Sequence, residues 1–164
     1  MTATDLERTA ARIHDDRAAI HHHLPCAMGA LALVGLAVAT YDSIMVSSGL
    51  PLWCPPPIDG CNVVATSPYA RMLGLPIAYY GVGFYLGILG IAVLLAIRPS
   101  SRMLRLAAVL CTGAGVLFSL YFMVLQIGFI HAFCIYCLVS GVTTLLLAIA
   151  ALADARATRL WAGG

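Results

Sequence analysis

Four long apolar stretches dominate the sequence and leave few possible folds. They cover approximately residues 24–46, 76–97, 103–128 and 132–153, and each approaches or exceeds the roughly 20 residues that a helix needs to cross about 30 Å of hydrocarbon. Backbone polar groups find no water inside a bilayer, so only helices and closed barrels cross it. The stretches lack the alternation of barrel strands. The pattern therefore predicts an all-α membrane protein, a four-transmembrane-helix bundle.

The overall composition agrees with a location in lipid. The chain is 62% hydrophobic and 10% charged, whereas soluble domains are about half apolar and about a quarter charged. The first apolar stretch is too long for a cleaved signal peptide and lacks a small-x-small cleavage site. The net charge of +2 is too small to indicate nucleic-acid binding. We expect a monomer surrounded by membrane lipid.

The arginines predict the orientation of the four spans. They form three clusters. One precedes the first span (Arg8, Arg12 and Arg17), one lies around the turn between the second and third spans (Arg98, Arg102 and Arg105), and one follows the fourth span (Arg156 and Arg159). With four spans all three clusters fall on one side, and only Arg71 falls on the other. The positive-inside rule then places both termini in the cytoplasm. The sequence divides into a cytoplasmic segment (1–24), a membrane domain (25–153) and a cytoplasmic tail (154–164).

Two polar segments lie outside the spans. Residues 1–24 are compatible with a short amphipathic helix at the membrane surface or with a frayed terminus. Their run of three histidines has no further ligands nearby, and we predict no metal site. The outer loop (residues 47–75) contains Cys54, three consecutive prolines and Cys61. Its later part, about residues 63–73, predicts a short helix at the membrane interface, a depth that also suits Trp53 and Tyr69.

Cys134 and Cys137 form a C-x-x-C at the outer start of the fourth span. Two cysteines three positions apart share one face of a helix. A helix N-terminus carries free N–H groups and partial positive charge, which stabilise a thiolate and make a cysteine more reactive. The pair therefore predicts a redox centre. The alternatives are two small packing residues or half of a zinc site, for which His131 alone is not enough.

The outer loop places a second cysteine pair on the same side of the membrane. Cys54 and Cys61 pair readily in an oxidising compartment, and the pair could be only a structural staple. Two pairs on one side also allow a disulfide to pass between them by thiolate attack. Such a relay would carry electrons from a water-soluble thiol to a lipid-dissolved acceptor. The remaining cysteines, Cys26 and Cys111, are predicted to be packing residues.

Taken together, these segments resemble the vitamin K epoxide reductase family, especially its bacterial quinone-linked members. The resemblance covers roughly residues 25–153. It is carried by the spacing of Cys54 and Cys61, by the run Cys-Asn-Val-Val-Ala-Thr-Ser-Pro-Tyr-Ala that starts at Cys61, by Gly-Leu-Pro at residues 74–76, and by Phe-Cys-Ile-Tyr-Cys at residues 133–137.

This resemblance implies a bundle around a quinone, either menaquinone or ubiquinone, capped by the outer loop. It implies that Cys54 exchanges with a thioredoxin-like partner, that Cys61 attacks Cys134, and that Cys137 passes electrons to the quinone. The expected function is disulfide bond formation at the outer face of a bacterial inner membrane. Residues expected at the quinone are Cys137, Ser67, Tyr80, Phe122, Phe133 and Tyr136. For most aromatic residues in this set, ordinary helix packing is the alternative.

Three departures from the family pattern shape these expectations. A fused thioredoxin-like domain, common in bacterial members, is not part of this sequence, so the partner is expected to be a separate protein. Gly141 stands where the animal enzymes have a tyrosine that contacts vitamin K, and their asparagine on the second helix is not evident. These differences favour quinone reduction over epoxide reduction. Asp42 and Gln126 are notable polar residues near membrane ends, where they could bond the loop, contact the quinone or be solvated.

Three other functions compete with this interpretation. Vitamin K epoxide or quinone reduction proper is the first. A disulfide oxidase of the disulfide-bond formation protein B type is the second, but its C-x-x-C belongs in the first outer loop, whereas here it follows the other pair. A non-catalytic membrane protein with structural disulfides, such as a small transporter, is the third. No charged residue lies deep in the third or fourth apolar stretch, which disfavours an ion path.

Overall fold

A computed structural model of the chain describes residues 3–56 and 60–159, and the side chains of residues 23–56 and 60–157. Five α-helices and one short hairpin make up most of the described chain. Their bounds are α1 (Ala3–Ser48), α2 (Cys61–Thr66), β1 (Arg71–Met72), β2 (Leu75–Pro76), α3 (Ile77–Ile97), α4 (Arg102–Leu125) and α5 (Ile135–Arg159). A 3-10 turn (Pro68–Ala70) precedes the hairpin, and a π-helical turn (Gln126–Ile130) extends α4.

Four helical segments in the described part of the chain are long and apolar enough to cross a membrane. They are His23–Ser48, Ile77–Ile97, Arg102–Ile130 and Ile135–Ala157. Many of their large apolar side chains remain exposed on outward faces, among them Leu33, Leu86, Leu117 and Ile149. Such a surface is stable in lipid and not in water. The predicted fold class is confirmed.

The first span continues a helix that begins in the polar N-terminal segment. Helix α1 runs without interruption from Ala3 to Ser48 and contains Pro25 near the start of the span. The side chains of residues 3–22, including His21 and His22, lie outside the described residues. The prediction of an amphipathic surface helix over residues 1–24 therefore stays a prediction.

Small residues hold the bundle together. Helix α1 packs against α3 and α5, and α4 packs against α5 and α3. The buried core contains many alanines at these contacts: Ala32, Ala39, Ala92, Ala108 and Ala151. Short side chains let helix backbones approach closely, which gives the dispersion contacts that stabilise helix pairs in lipid.

One contact ties three helices together near the middle of the bundle. A Cβ at Gly35 would overlap a ring carbon of Tyr85, so α1 needs a glycine where the ring crosses it. The buried Tyr85 hydroxyl donates to the carbonyl of Ser140 at 2.9 Å and lies 3.1 Å from the hydroxyl of Thr144. Because a buried hydroxyl without partners is costly, these bonds fix α3 against α5.

A buried ion pair joins α4 to α5 at the opposite end of the bundle from the cysteine pairs. The Nε of Arg105 lies 2.7 Å from Oδ2 of Asp154, and both side chains are almost fully buried. Arg105 also donates to the carbonyl of Pro99 in the turn before α4. Helix α5 continues past residue 153 to Arg159, so Asp154 lies within the bundle. Its charge is tolerated there because Arg105 neutralises it.

The outer loop contains the predicted short helix, but both of its bounds differ from the prediction. The helix covers Cys61–Thr66, not residues 63–73, and it is followed by the 3-10 turn and the hairpin. Arg71 pairs with Pro76 and Met72 with Leu75. The two turn residues between them, Leu73 and Gly74, both have positive φ, the backbone required by a tight two-residue hairpin turn.

We predict that the Arg105–Asp154 pair is essential to bundle stability. Asp154→Ala would leave a buried guanidinium without its carboxylate and should lower the free energy of unfolding by about 3 kcal/mol. Thermal or SDS-induced unfolding in detergent micelles measures this loss. Arg102→Ala, at an exposed position on α4, should change stability by less than about 0.5 kcal/mol. Equal losses in the two variants would contradict the prediction.

Candidate active site

The outer-loop cysteines form a disulfide. Cys54 and Cys61 are bonded, with their Cα atoms 6.3 Å apart, a separation normal for a disulfide. Cys61 begins α2 and is fully buried, whereas Cys54 is half-buried. The Cys54 sulfur is therefore the more accessible of the two.

Polar contacts fold the outer loop onto itself. The backbone N–H of Leu52 donates to Oδ1 of Asn62 at 2.7 Å, and the Asn62 amide donates back to the Leu52 carbonyl at 3.1 Å. A side chain bonded to both backbone groups of one residue acts as a clamp. Sequence reasoning assigned Asn62 no role, although an asparagine beside a loop cysteine is well suited to bonding backbone groups.

Two further contacts dock the folded loop onto the start of α5. The hydroxyl of Tyr136 donates to the Trp53 carbonyl at 2.6 Å. Gly60 packs so closely on the segment before α5 that a Cβ there would lie 2.8 Å from the backbone N and O of Phe133. These contacts set Cys61 against the C-x-x-C.

Cys134 occupies the N-cap position of α5. Its carbonyl accepts the first helical hydrogen bond, from the N–H of Leu138 at 3.1 Å, while its own N–H donates to Oε1 of Gln126 at 2.9 Å. The residue is 2% exposed and packs in one buried cluster with Cys61, Leu52 and Val64. The structure thus brings together the two cysteines that the predicted relay requires to meet.

The surroundings of Cys134 favour its thiolate. A hydrogen bond from the Cys137 side chain is the largest influence and lowers the pKa of the Cys134 thiol. Backbone N–H groups of Cys137 and Tyr136 lower it further, against burial and the charge of Asp42, which raise it. The sequence predicted that the helix N-terminus stabilises a thiolate in the C-x-x-C. In the structure its N–H groups act on Cys134, because that residue is the N-cap.

Two cavities meet at the C-x-x-C. A small cavity of about 30 Å³ is lined by three cysteines: Cys61 of the outer loop, and Cys134 and Cys137 of the C-x-x-C. A large cavity of about 490 Å³ lies between the helices, a size typical of sites for small organic ligands. Cys137 and Asp42 line both cavities. Cys137 therefore adjoins the cavity beside the loop disulfide on one side and a ligand-sized cavity on the other.

The large cavity includes four of the six residues predicted to contact a quinone. Cys137, Tyr80, Phe122 and Tyr136 line it. Ser67 and Phe133 do not: the Ser67 hydroxyl donates to the Val64 carbonyl at 2.8 Å, and Phe133 is exposed. Both belong to the loop side of the site, since the turn at residues 67–70 and the docking of Gly60 orient them away from the bundle interior.

Other lining residues come from every span. The aromatic and polar members beyond those predicted are Phe84, Tyr85, Phe118, Ser119, Gln126, Ser140 and Thr144. The hairpin also contributes Met72, whose carbonyl accepts from the Tyr80 hydroxyl at 2.9 Å. The sequence did not predict Met72 as a lining residue, because nothing in a two-residue strand marks its position.

Gln126 and Asp42 occupy more specific positions than sequence reasoning could assign. Gln126 is 0% exposed, lines the large cavity and bonds the N–H of Cys134, not the outer loop. Its Nε2 has no hydrogen-bond partner among the described residues. Asp42 lies where the two cavities adjoin. The alternative of plain solvation at the interface is wrong for Gln126.

The two remaining cysteines do not fit the prediction that they are buried packing residues. Cys26 and Cys111 are both exposed, and Cys111 lines the large cavity. In a bundle of this size most helix positions face outward, and a small apolar side chain is accommodated there without a packing role.

We predict that Gly60 controls the approach of the two cysteine pairs. In a Cys54→Ser/Cys137→Ser background, Cys61 and Cys134 should crosslink under mild oxidation, which mass spectrometry of proteolytic fragments detects. Gly60→Ala should slow this crosslink, because overpacking against Phe133 costs about 1–3 kcal/mol. Gly29→Ala, where a Cβ meets nothing within 4 Å, is the control. An unchanged crosslinking rate in Gly60→Ala would refute the docking role.

Comparison with known families agrees with this arrangement. The sequence model of the Vitamin K epoxide reductase family matches residues 26–152. The match includes both cysteine pairs and nearly the whole of the four spans. The chain belongs to the vitamin K epoxide reductase family.

Proposed function

We propose that this protein is a quinone-dependent thiol–disulfide oxidoreductase of the membrane, which oxidises a separate thioredoxin-like partner outside the cytoplasm and so supports disulfide bond formation. The observation that carries the proposal is the position of Cys137, which lines both the small cavity beside Cys61 and Cys134 and the large cavity. Electrons entering at the loop would leave through this residue.

The first step is exchange at the loop. A partner thiolate attacks the half-buried Cys54, and the Cys54–Cys61 bond breaks with Cys61 as the leaving thiolate. The second thiolate of the same partner molecule then attacks the mixed disulfide and releases Cys54. The partner leaves with an internal disulfide, and the loop pair is reduced. Attack at Cys61 is disfavoured because that sulfur is fully buried.

The second step moves the electrons inward. With Cys134 and Cys137 as a disulfide, the Cys61 thiolate attacks Cys134, with which it shares a buried cluster. Cys137 leaves as a thiolate, and attack by Cys54 on Cys61 then restores the loop disulfide and frees Cys134. The result is an oxidised loop pair and a reduced inner pair, the same oxidation states that the described chain has.

The large cavity fits a quinone as electron acceptor. Its lining is mainly apolar and aromatic, which suits a flat ring, and it includes an unpartnered buried amide nitrogen on Gln126. A bound quinone would accept two electrons and two protons and leave as the quinol, while Cys134 and Cys137 return to a disulfide. The protein excludes water around Cys137 and holds the inner pair at the cavity wall. Menaquinone and ubiquinone both have such a ring.

The charge distribution supports a cytoplasmic location for both termini. Arg98, Arg102, Arg105 and Arg156 lie at one end of the bundle, and both cysteine pairs lie at the other. In a bacterial inner membrane the arginine end would face the cytoplasm. The cysteines would then face an oxidising compartment, where a dithiol partner needs to be reoxidised.

We predict distinct defects for the two pairs. With a reduced thioredoxin-like protein as donor, Cys61→Ser and Cys137→Ser should both lose quinone reduction, measured by quinone absorbance. With dithiothreitol as donor, Cys61→Ser should recover, because a small dithiol reduces Cys134–Cys137 directly. Cys137→Ser should remain inactive, because serine cannot complete the inner disulfide.

Cys26→Ser is the control for these variants, since Cys26 lies outside both cavities. If Cys137→Ser reduces quinone as fast as the unmodified protein, the C-x-x-C is not the active pair and the proposal fails. Recovery of both variants with dithiothreitol would contradict the order of the relay.

A further inference from the structure

We propose that the side-chain amide nitrogen of Gln126 donates a hydrogen bond to a carbonyl oxygen of the quinone, which makes Gln126 a binding residue for the electron acceptor. The inference rests on the proposed function and adds to it the group that recognises the polar edge of the ring. It follows from three properties of this side chain: its orientation, its burial and its place on the cavity wall.

The orientation of the Gln126 amide is fixed by its partner. Oε1 accepts from the backbone N–H of Cys134 at 2.9 Å. Rotating the amide by half a turn would set its NH₂ group against that N–H, so that two donors would face each other. Only one orientation satisfies the start of α5, and it directs Nε2 away from Cys134.

The nitrogen so directed lacks an acceptor. Gln126 is 0% exposed, and Nε2 makes no hydrogen bond with any described residue. A buried amide donor left in this state costs about 1–3 kcal/mol. The same side chain lines the large cavity, so a ligand bound there would be in position to supply the missing acceptor.

The chemistry of the cavity selects a ligand with an apolar body and a carbonyl oxygen. Its aromatic wall includes Phe118 and Phe122, which disfavours a strongly polar ligand. The hydroxyls of Ser140 and Thr144 are already engaged with Tyr85. Gln126 therefore provides an uncommitted neutral donor, and a quinone has two carbonyl acceptors on an otherwise apolar ring.

This bond would also link the ligand to the redox pair. One end of the Gln126 amide holds the backbone of Cys134, and the other end would hold the ring oxygen. A single rigid side chain would then set the position of the acceptor relative to the C-x-x-C, because both hydrogen bonds share one planar group.

The test compares Gln126→Glu with the unmodified protein in detergent, using a methyl-naphthoquinone and a decyl-benzoquinone as probes. The measurements are made at a pH high enough to ionise the glutamate, since burial favours its neutral form; the ionised side chain keeps an oxygen for the Cys134 N–H but presents a second acceptor in place of the donor. The dissociation constant for each probe should rise about tenfold to a hundredfold, the factor that corresponds to an unmade buried hydrogen bond. Thr112→Val on the same helix is the control, because it removes a fully buried hydroxyl outside the cavity lining and should leave the dissociation constant unchanged.

Two further measurements separate binding from a purely structural role. The infrared stretching frequency of the bound quinone carbonyl should be lower than in empty detergent micelles, and the shift should shrink in Gln126→Glu. The rate at which dithiothreitol reduces Cys134–Cys137 without quinone should be the same in both proteins. If dithiothreitol reduces Cys134–Cys137 about tenfold more slowly in Gln126→Glu than in the unmodified protein, the inference is overturned and Gln126 only supports Cys134.

The remaining outcomes are also decisive. If the unmodified protein binds quinone but shows no carbonyl shift, the inference is wrong even if the variant does not fold. An unchanged dissociation constant in Gln126→Glu would also show that the inference is wrong. If the unmodified protein binds neither probe, the proposed function itself fails, and this inference fails with it.

Discussion

The hydrogen bond from the backbone N–H of Cys134 to the side chain of Gln126 fixes where α5 begins, and the site is arranged around that point. The chain leaves α4 through the π-helical turn and reverses at His131, which has a positive φ of 54°. The first N–H groups of the new helix have no partners within it, and burial removes water as an alternative. The amide of Gln126 supplies an acceptor at 2.9 Å. Without it, the start of α5 would have to shift toward water, away from Cys61.

Once α5 begins at this position, the spacing of the C-x-x-C places its two cysteines in different surroundings. Cys134 is the N-cap and packs in the buried cluster under the outer loop, whereas Cys137 lies one turn later and reaches the large cavity. The hydrogen bond from the Cys137 side chain, together with the N–H groups at the helix start, lowers the pKa of Cys134, which in the proposed relay makes Cys134 a good leaving group when the loop disulfide is restored. A pair with closer or wider spacing would not place one sulfur at the loop and the other at the cavity.

The sequence predicted what depends on local composition and missed what depends on distant pairing. Apolar length alone located the four spans, and the cysteine spacing identified both pairs. The continuation of α5 past residue 153 was not predictable in the same way, because Asp154 is neutralised by Arg105, which lies 49 positions earlier. Tyr80 and Phe122 line the cavity, but Phe133 does not, because it lies in the non-helical segment before α5, where the outer loop packs at Gly60. The hairpin at residues 71–76 has strands too short to give any periodic pattern.

The bundle and the outer loop are held by contacts of different strength, and that difference suits a relay. Helices α4 and α5 are fixed to each other at both ends, by the Arg105–Asp154 pair at one and by Gln126 and Cys134 at the other. The described contacts of the outer loop with the start of α5 contain no ion pair. They include the Tyr136–Trp53 hydrogen bond and the close packing of Gly60. A hydrogen bond of this kind is worth roughly 1 kcal/mol, whereas breaking a buried ion pair by removing one partner costs about 3–5 kcal/mol. In the proposed relay a partner would reach the half-buried Cys54 on the outer loop, while the two fixed helices hold Cys137 at the cavity wall.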